Sequence, residues 1–302
     1  MIVYCVPNGG IYGGIKVAFR FVDALQASGV AACIATPDGL ASQWFRSQAP
    51  VLARADALAR MGPADAVMFS LPHDYDELRA TGRRLIFHCQ GTDPLIDPII
   101  CDPAVTVLTC WRQAADYVRA VASREPIDVG IDIPEQFGHR GERKDPHVAL
   151  FMPRRGLDAA LALDRACPEI QLVPLDGLDE SEVALMLRRA SIYLATAEGE
   201  WFGLPALEAM AAGCLVFSLP PLGGMEYLED GVNCFVGDLP YLEDAISRVL
   251  HPEHAHERAA MRSAAIATAL RYRSAEQTTK ITAFADTLDA ATRQPFGPVR
   301  NG

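Results

Sequence analysis

Two carboxylates in the second half of the chain have the types and spacing to hold a polar ligand. Glu200 lies in a glycine-containing loop, and Glu208 follows after seven intervening residues, one turn into a predicted helix. The two are too far apart to be simple helix neighbours, so they can address different parts of one extended ligand. A carboxylate accepts hydrogen bonds from paired hydroxyls, which suits both a ribose and a hexose.

The segment that carries them, AEGEWFGLPALEAMAAG at 197–213, predicts the end of a strand, a loop and a helix. Pro205 suits the first helical position, and Gly213 suits the C-terminal cap. The N–H groups at the start of this helix, with the flexible backbone at Gly203, would form a phosphate site where parallel strands end. The alternative is an ordinary buried strand, loop and helix with two surface glutamates, which the string as a whole disfavours.

Strand-like runs alternate with helical patterns on both sides of a polar stretch at 134–146, which predicts two α/β units with parallel sheets. In the first half, apolar residues follow a helical spacing from Gly14 until Gly29 ends the helix. We place domains at 1–135 and 146–275, followed over 276–302 by a helix and tail. That helix, roughly 275–291, is long enough to pack back across the first domain. The predicted strands are Ile2–Val6, Val30–Thr36, Ala66–Ser70, Arg84–Cys89, Ala104–Thr109, His147–Met152, Ile170–Leu175, Ser191–Thr196, Cys214–Leu219 and Cys234–Val236.

These motifs resemble glycosyltransferase family 4, whose members are retaining enzymes of the GT-B fold. The family's two glutamates, seven residues apart, are matched by Glu200 and Glu208, and its FGLP by Phe202–Pro205. The similarity continues through EAMAAG and GGMEYLEDGVNCFV and begins upstream in ESEVALMLRRASIYLAT. It is specific over about residues 147–250 and follows the family's order over the first 130.

The resemblance implies an α/β protein of GT-B architecture, with two Rossmann-like, doubly wound domains facing across a cleft. The first domain would lie on the acceptor side, and the second would bind a nucleotide sugar. Glu208 would bind the ribose hydroxyls and Glu200 the hydroxyls of the donor sugar. Backbone amides near Phe202, Gly203 and Leu204 would contact sugar or phosphate oxygens.

The basic segment FMPRRG at 151–156 stands where the family has a Gly-Arg, a short spacer and a Lys-Gly. Arg154 and Arg155 would supply the cations that neutralise the leaving diphosphate, because a planar guanidinium donates two hydrogen bonds at once. In this chain a Pro stands in place of the family's Gly and an Arg in place of its Lys, and the spacer between them is absent. Which arginine faces the phosphate therefore stays open, and so does a purely surface role for both.

The first loop, within NGGIYGGIKVAFRF, resembles the family's glycine loop, which faces the donor diphosphate and the acceptor. Gly13 and Gly14 are the expected backbone contacts and Lys16 a further candidate, although such glycines also serve packing alone. His88 ends a predicted strand near the position of a family histidine that touches the donor sugar, whereas a lone histidine is more often a core residue. Since the loop lacks G-x-G-x-x-G, an NAD-linked dehydrogenase is disfavoured.

By resemblance, the reaction would proceed on the front face of the sugar, with the leaving phosphate taking the acceptor's proton. Glu200, Arg154, Arg155 and His88 would then be the catalytic group. The partners would be a nucleotide-diphosphate sugar and a hydroxyl acceptor, whether a glycan, a lipid-linked or a small molecule, with no cofactor and no metal. The alternative from another class is a non-catalytic GT-B-like protein that binds a nucleotide or a partner protein.

The composition restricts the remaining classes. A formal net charge of -11 in 302 residues disfavours nucleic acid as a partner. No apolar run reaches the roughly 20 residues of a membrane span, and MIVYCVPNGG lacks the basic start of a signal peptide, so we expect a cytoplasmic protein. The eight cysteines are expected to be reduced core thiols, and HPEHAHE at 251–257 a solvated face rather than a metal site.

Overall fold

The computed structural model describes residues 1–288 of the chain. These residues form two compact units. Unit 1 consists of Met1–Ile131 together with the described residues after Ser274, and unit 2 consists of Asp132–Ser274.

Unit 1 contains a seven-stranded, fully parallel sheet in the order β3-β2-β1-β4-β5-β6-β7. Its strands are β1 (Ile2–Cys5), β2 (Ala32–Thr36), β3 (Val51–Ala53), β4 (Ala66–Phe69), β5 (Arg84–Cys89), β6 (Val105–Thr109) and β7 (Ile127–Asp128). Its first five α-helices are α1 (Gly13–Ala27), α2 (Arg54–Ala59), α3 (Tyr75–Ala80), α4 (Asp97–Ile100) and α5 (Arg112–Ala122). The strand order reverses between β1 and β4, as in a doubly wound dinucleotide-binding sheet.

Unit 2 contains a five-stranded parallel sheet in the order β12-β11-β10-β8-β9. Its strands are β8 (Asp145–Phe151), β9 (Gln171–Pro174), β10 (Ala190–Ala195), β11 (Leu215–Ser218) and β12 (Phe235–Val236). Its α-helices are α6 (Leu157–Ala166), α7 (Glu180–Arg189), α8 (Leu204–Ala211), α9 (Leu239–Leu250) and α10 (Ala255–Ala269). The order reverses between β8 and β10, and ligands of such sheets bind outside the carboxyl ends of the strands at this point.

All ten strands predicted from the sequence are present, each within two residues of its predicted ends. The predicted apolar stripe of α1 is buried from Ile15 to Leu25, and Gly29 follows that helix with φ +79°. Burial of a large side chain such as Phe19 contributes about 1.5–3 kcal/mol. The strands β3 and β7 were not predicted, because three and two residues carry no readable periodicity.

A last helix, α11 (Ser274–Asp286), returns the chain to unit 1. Ile281 and Phe284 are buried in the core of unit 1, and the Phe284 ring lies 6.2 Å from that of Phe21. Lys280 Nζ also lies 2.7 Å from a carboxylate oxygen of Asp128. The predicted end of this helix near residue 291 and the tail to 302 lie outside the described residues.

The polar stretch at 134–146, which the sequence analysis treats as the domain boundary, belongs to unit 2. Phe137 in its middle is fully buried, and Arg188 of α7 donates to the carbonyl of Gln136. The Arg188 Nε also donates to Glu142 over 2.6 Å. These contacts fix the stretch against α7, so its polar composition does not make it a free linker.

Cysteines and potential metal ligands occur among the described residues. All eight cysteines are free, and seven of them are buried, as expected for core thiols. Between residues 1 and 288, no cluster of three or more His, Cys, Asp or Glu is arranged to hold a metal ion. Over the same range, no helix has the length and apolar content required to cross a membrane.

Candidate functional site

The loops that leave β8 and β10 meet at the point where the strand order of unit 2 reverses. A Cβ on Gly156 would lie only 2.7 Å from Thr196 Oγ1 and 2.8 Å from the Thr196 carbonyl carbon, so a glycine is needed here. Thr196 Oγ1 donates to the Gly156 carbonyl over 2.9 Å, and the Glu198 N–H donates to the Arg155 carbonyl over 3.1 Å. The basic segment and the Glu200 loop therefore form one continuous surface.

Arg155 and Glu200 are in direct contact on this surface. Arg155 Nη2 lies 2.6 Å from Glu200 Oε2, with the arginine side chain 51% exposed and the glutamate 28% exposed. The Arg155 backbone is left-handed at φ +73°, a conformation that costs a residue with a side chain about 1–2 kcal/mol. Strain of this kind concentrates at functional sites. The neighbouring Arg154 is exposed as well.

The helix after the loop begins close to where the sequence predicts. Gly203 caps α8 with φ +81° and ψ +49°, and Pro205 is the second helical residue rather than the first. Its missing N–H costs nothing there, because the N–H groups of a first turn have no partner inside the helix. Gly213 follows the helix with φ +74°, as predicted for the C-terminal cap. The start of α8, with Leu204 as its first residue, thus presents backbone donors beside Glu200.

A second loop, residues 219–227, holds the Glu200 loop in shape. The Leu222 N–H donates to the Glu200 carbonyl over 2.7 Å. A Cβ on Gly224 would lie 2.2 Å from the Phe202 carbonyl oxygen, so only a glycine permits this approach. We call residues 219–227 the support loop. The sequence analysis assigned no role to its residues, although the GGMEYLEDG string that contains them resembles the family.

The support loop also fixes the capping glycine through a buried tyrosine. Tyr227 is fully buried, and its Oη donates to the Gly203 carbonyl over 2.7 Å. The Phe202 ring packs between Tyr227 and Tyr272, with centroid distances of 5.2 and 5.8 Å. The Phe202 side chain therefore anchors the loop, which leaves its backbone as the part suited to a ligand.

Glu208 occupies a buried position on α8. Only 3% of the residue is exposed, which differs from the surface glutamate of the alternative interpretation. Burial, followed by the negative charge of Glu208, raises the pKa of Tyr193 on β10 well above its usual value, so the phenol stays protonated beside the carboxylate. The loop and helix that leave β10 thus carry both glutamates, with Arg155 reaching in from the neighbouring strand's loop.

The glycine loop of unit 1 follows β1, beside the reversal point of that sheet. Gly13 is the first residue of α1, and a Cβ on Gly14 would lie 2.4 Å from Gln90 Oε1. Gln90 Nε2 donates to the Gly14 carbonyl over 3.4 Å and to Tyr4 Oη over 3.3 Å. Gly14 therefore serves close packing against Gln90, a partner that the sequence analysis did not identify.

Lys16, three residues after the start of α1, is buried and contacts Trp44. Lys16 is only 3% exposed, and its Nζ lies 5.5 Å from the centre of the Trp44 ring. The indole N–H of Trp44 in turn donates to the Gly10 carbonyl over 3.1 Å. Lys16, a further candidate ligand contact of this loop, is thus a buried cation that packs against Trp44.

His88, which the resemblance relates to a histidine that touches the donor sugar, stands near the end of β5 in the interior of unit 1. The residue is fully buried, with Nδ1 2.9 Å from Tyr4 Oη and Nε2 2.7 Å from Cys110 Sγ. Burial lowers its pKa to about 3, so the ring is neutral at physiological pH. With both nitrogens engaged by side chains, this histidine is placed to organise the core of unit 1, and we leave it out of the proposed machinery.

One family model matches part of unit 2. Residues 170–268 match the model for "Glycosyl transferases group 1". The matched range includes Glu200, Glu208 and the support loop.

One curated relative shares part of the sequence. An alpha-1,6-glucosyltransferase of Actinobacillus pleuropneumoniae serotype 7 (strain AP76) is 35% identical over 135 residues, which cover 41% of each protein. The chain therefore spans about two fifths of the length of the curated relative it matches.

Solved structures match over almost the whole chain. A sucrose-phosphate synthase from Thermosynechococcus elongatus has a TM-score of 0.76 at 13% identity and covers 96% of this chain and 99% of its own. Anabaena HepE, solved in complex with UDP and glucose, has a TM-score of 0.69 at 14% identity over 96% of this chain and 99% of its own. WaaG, a glycosyltransferase involved in lipopolysaccharide biosynthesis, has a TM-score of 0.68 at 12% identity over 96% and 100%. At these identities the likeness concerns the fold, and it confirms the predicted GT-B architecture of two Rossmann-like domains.

Proposed function

We propose that the chain is a retaining, metal-independent glycosyltransferase that takes its sugar from a nucleotide-diphosphate sugar bound to unit 2. The observation that carries the proposal is the convergence at the reversal point of unit 2. A strained arginine, a half-buried glutamate, a helix start and a buried glutamate all lie on the loops and helix that leave β8 and β10.

Each group has a task that fits its surroundings. Arg155 and the Leu204 N–H at the start of α8 stabilise the negative charge of the diphosphate, since the Ala206 and Leu207 N–H groups donate to the Gly203 carbonyl. Glu200 accepts hydrogen bonds from the sugar hydroxyls, and Glu208 accepts those of the ribose. The work of the protein is then to position the donor and to stabilise the charge that develops on the leaving group. The leaving phosphate takes the proton of the acceptor hydroxyl, so the new bond forms on the face that the phosphate leaves.

The names of two similar proteins suggest which donor to test first. The curated relative is named as an alpha-1,6-glucosyltransferase, and the HepE structure holds UDP and glucose. We therefore take UDP-glucose as the first candidate donor, ahead of guanosine- and thymidine-based sugars.

Titration calorimetry with UDP, GDP and TDP tests the donor site. At least one of them is expected to bind, and Glu208→Ala is expected to weaken that binding about ten- to a hundredfold, since hydrogen bonds to a charged group contribute about 1.5–3 kcal/mol. Glu243→Ala, which removes an exposed carboxylate from α9, is the control and should leave the affinity unchanged. Failure of all three nucleotides to bind would contradict the proposal.

Hydrolysis of UDP-glucose without an acceptor separates an enzyme from a binding protein. The enzyme releases UDP and glucose slowly, and early NMR spectra should show the α-anomer first if the configuration is retained. The same rate with and without a chelator is expected for a metal-independent reaction. Binding of UDP with no release of glucose would favour the non-catalytic alternative, and early release of the β-anomer would rule out retention.

A further inference from the structure

The ion pair between Arg155 and Glu200 joins the two groups that the proposed function assigns to different parts of the donor. Arg155 is assigned to the diphosphate and Glu200 to the sugar, yet Nη2 and Oε2 lie 2.6 Å apart. A guanidinium that donates to Oε2 occupies an acceptor site on that oxygen and lies where a sugar hydroxyl would approach it.

The backbone fixes the base of the arginine rather than its tip. Arg155 is left-handed, its carbonyl accepts from the Glu198 N–H, and the next residue, Gly156, is packed against Thr196. The Arg155 side chain, in contrast, is 51% exposed. A charged ligand that arrives from solvent can therefore draw the guanidinium away without unfolding the loop.

We propose that Arg155 covers Glu200 until a diphosphate removes it. Arg155 donates to Glu200 through Nη2, while its Nη1 lies 3.5 Å from the Gly199 carbonyl oxygen. A diphosphate carries more negative charge than one carboxylate and can accept from both nitrogens, so it competes for the guanidinium. Once Arg155 moves to the diphosphate, the Glu200 carboxylate accepts from the sugar hydroxyls. Sugar recognition at this site thus depends on a diphosphate, and the two binding events are positively coupled. This inference rests on the proposed function.

Substitution of Glu200 tests the proposal, because the proposal predicts the direction in which the affinity for a nucleoside diphosphate changes. In Glu200→Gln the arginine has no carboxylate to leave, so the nucleoside diphosphate that binds the wild type should bind about two- to fivefold tighter, as expected for an exposed ion pair. The gain should decrease at high salt, because exposed charges are screened. In an Arg155→Ala background, the same substitution should give no gain.

Two controls separate the pair from general electrostatics. Glu198→Gln removes one negative charge two positions away, at an exposed residue of the same loop. It should change the affinity by less than Glu200→Gln does, and an equal gain would overturn the proposal. The corresponding nucleoside without phosphates should bind wild type and Glu200→Gln alike.

The remaining outcomes are also decisive. Weaker or unchanged binding of the diphosphate by Glu200→Gln would show that Glu200 positions Arg155 for the ligand. Arg155 would then not act as a cover for Glu200, and the inference would fail. In that case the proposed function would still stand if Glu208→Ala weakens binding. If the wild type binds no nucleoside diphosphate at all, both fail together.

Discussion

Acidification is expected to destabilise unit 1 through His88. The ring is fully buried between Tyr4 and Cys110, and burial lowers its pKa from 6.5 to about 3. In the unfolded chain the imidazole regains its ordinary pKa and binds a proton that the folded unit does not. The contribution to stability is therefore fully present above pH 6.5, begins to fall there, and continues to fall until the folded pKa is reached.

The loss of stability can be calculated from the difference between the pKa of His88 in the unfolded chain and its pKa in the folded unit. Between pH 8 and pH 5 only the unfolded chain becomes protonated at His88, which lowers the free energy of unfolding by about 2 kcal/mol. Burial also raises the pKa of Tyr4 and of Cys110 above their ordinary values, so neither neighbour titrates in this range. The change belongs to His88 alone within this cluster.

Urea unfolding of wild type and His88→Gln at several pH values measures the contribution of His88 to the free energy of unfolding. Trp201→Phe in both backgrounds leaves Trp44 and Trp111 as the fluorescent reporters, and both lie in unit 1. The variant is expected to be less stable at pH 8, and its deficit should shrink by about 2 kcal/mol as the pH falls to 5. The other histidines titrate in both proteins and cancel in the comparison.

A deficit that stays constant with pH would refute the reasoning, because His88 would then protonate as readily in the folded unit as in the unfolded chain. If the variant does not fold, ¹⁵N NMR of the wild-type ring answers the same question. A neutral ring from pH 8 to pH 5 is expected, and an imidazolium signal in that range would show that the ring is accessible.

Two further changes probe the support of the Glu200 loop, both read by urea unfolding with Trp201 as reporter and by nucleotide calorimetry. Tyr227→Phe removes the side-chain donor to the Gly203 carbonyl, which keeps the Ala206 N–H at 3.1 Å. The variant should lower stability by about 0.5–1.5 kcal/mol and weaken nucleotide binding, and unchanged affinity would mean that the loop keeps its shape without this hydrogen bond. Gly203→Ala combines a left-handed backbone with a Cβ 2.8 Å from Tyr227 Oη and should destabilise unit 2 clearly more than Gly199→Ala, whose site has φ +66° and open space around it. Equal losses in the two alanine variants would contradict the close packing described for Gly203.

The sequence predicted the Glu200 segment well because every local signal agreed. A glycine with positive φ before the helix, a proline in its first turn and a glycine after its end all define the same boundaries. The strand before and the strand after it are buried runs with no competing pattern. Loop, helix and the placement of both glutamates followed from local chemistry alone.

The environment of His88 could not be predicted from local sequence signals. β5 lies between β4 and β6, so both of its edges are paired, and Phe87 and His88, which point to opposite faces, are both buried. The partners of the ring are Tyr4, 84 positions away, and Cys110, 22 positions away. The burial of Lys16 could not be predicted for a related reason, because the aromatic ring that covers it belongs to residue 44. Contacts between distant positions decide burial here, and a single sequence does not list them.

The helix that closes unit 1 has a consequence for biosynthesis. Ile281, Phe284 and Leu288 belong to the core of unit 1, yet they are translated after every residue of unit 2. On the ribosome, unit 2 can mature while the apolar surface beneath Phe284 is still bare. The nascent chain therefore carries an incomplete first unit until residues 281–288 have been translated.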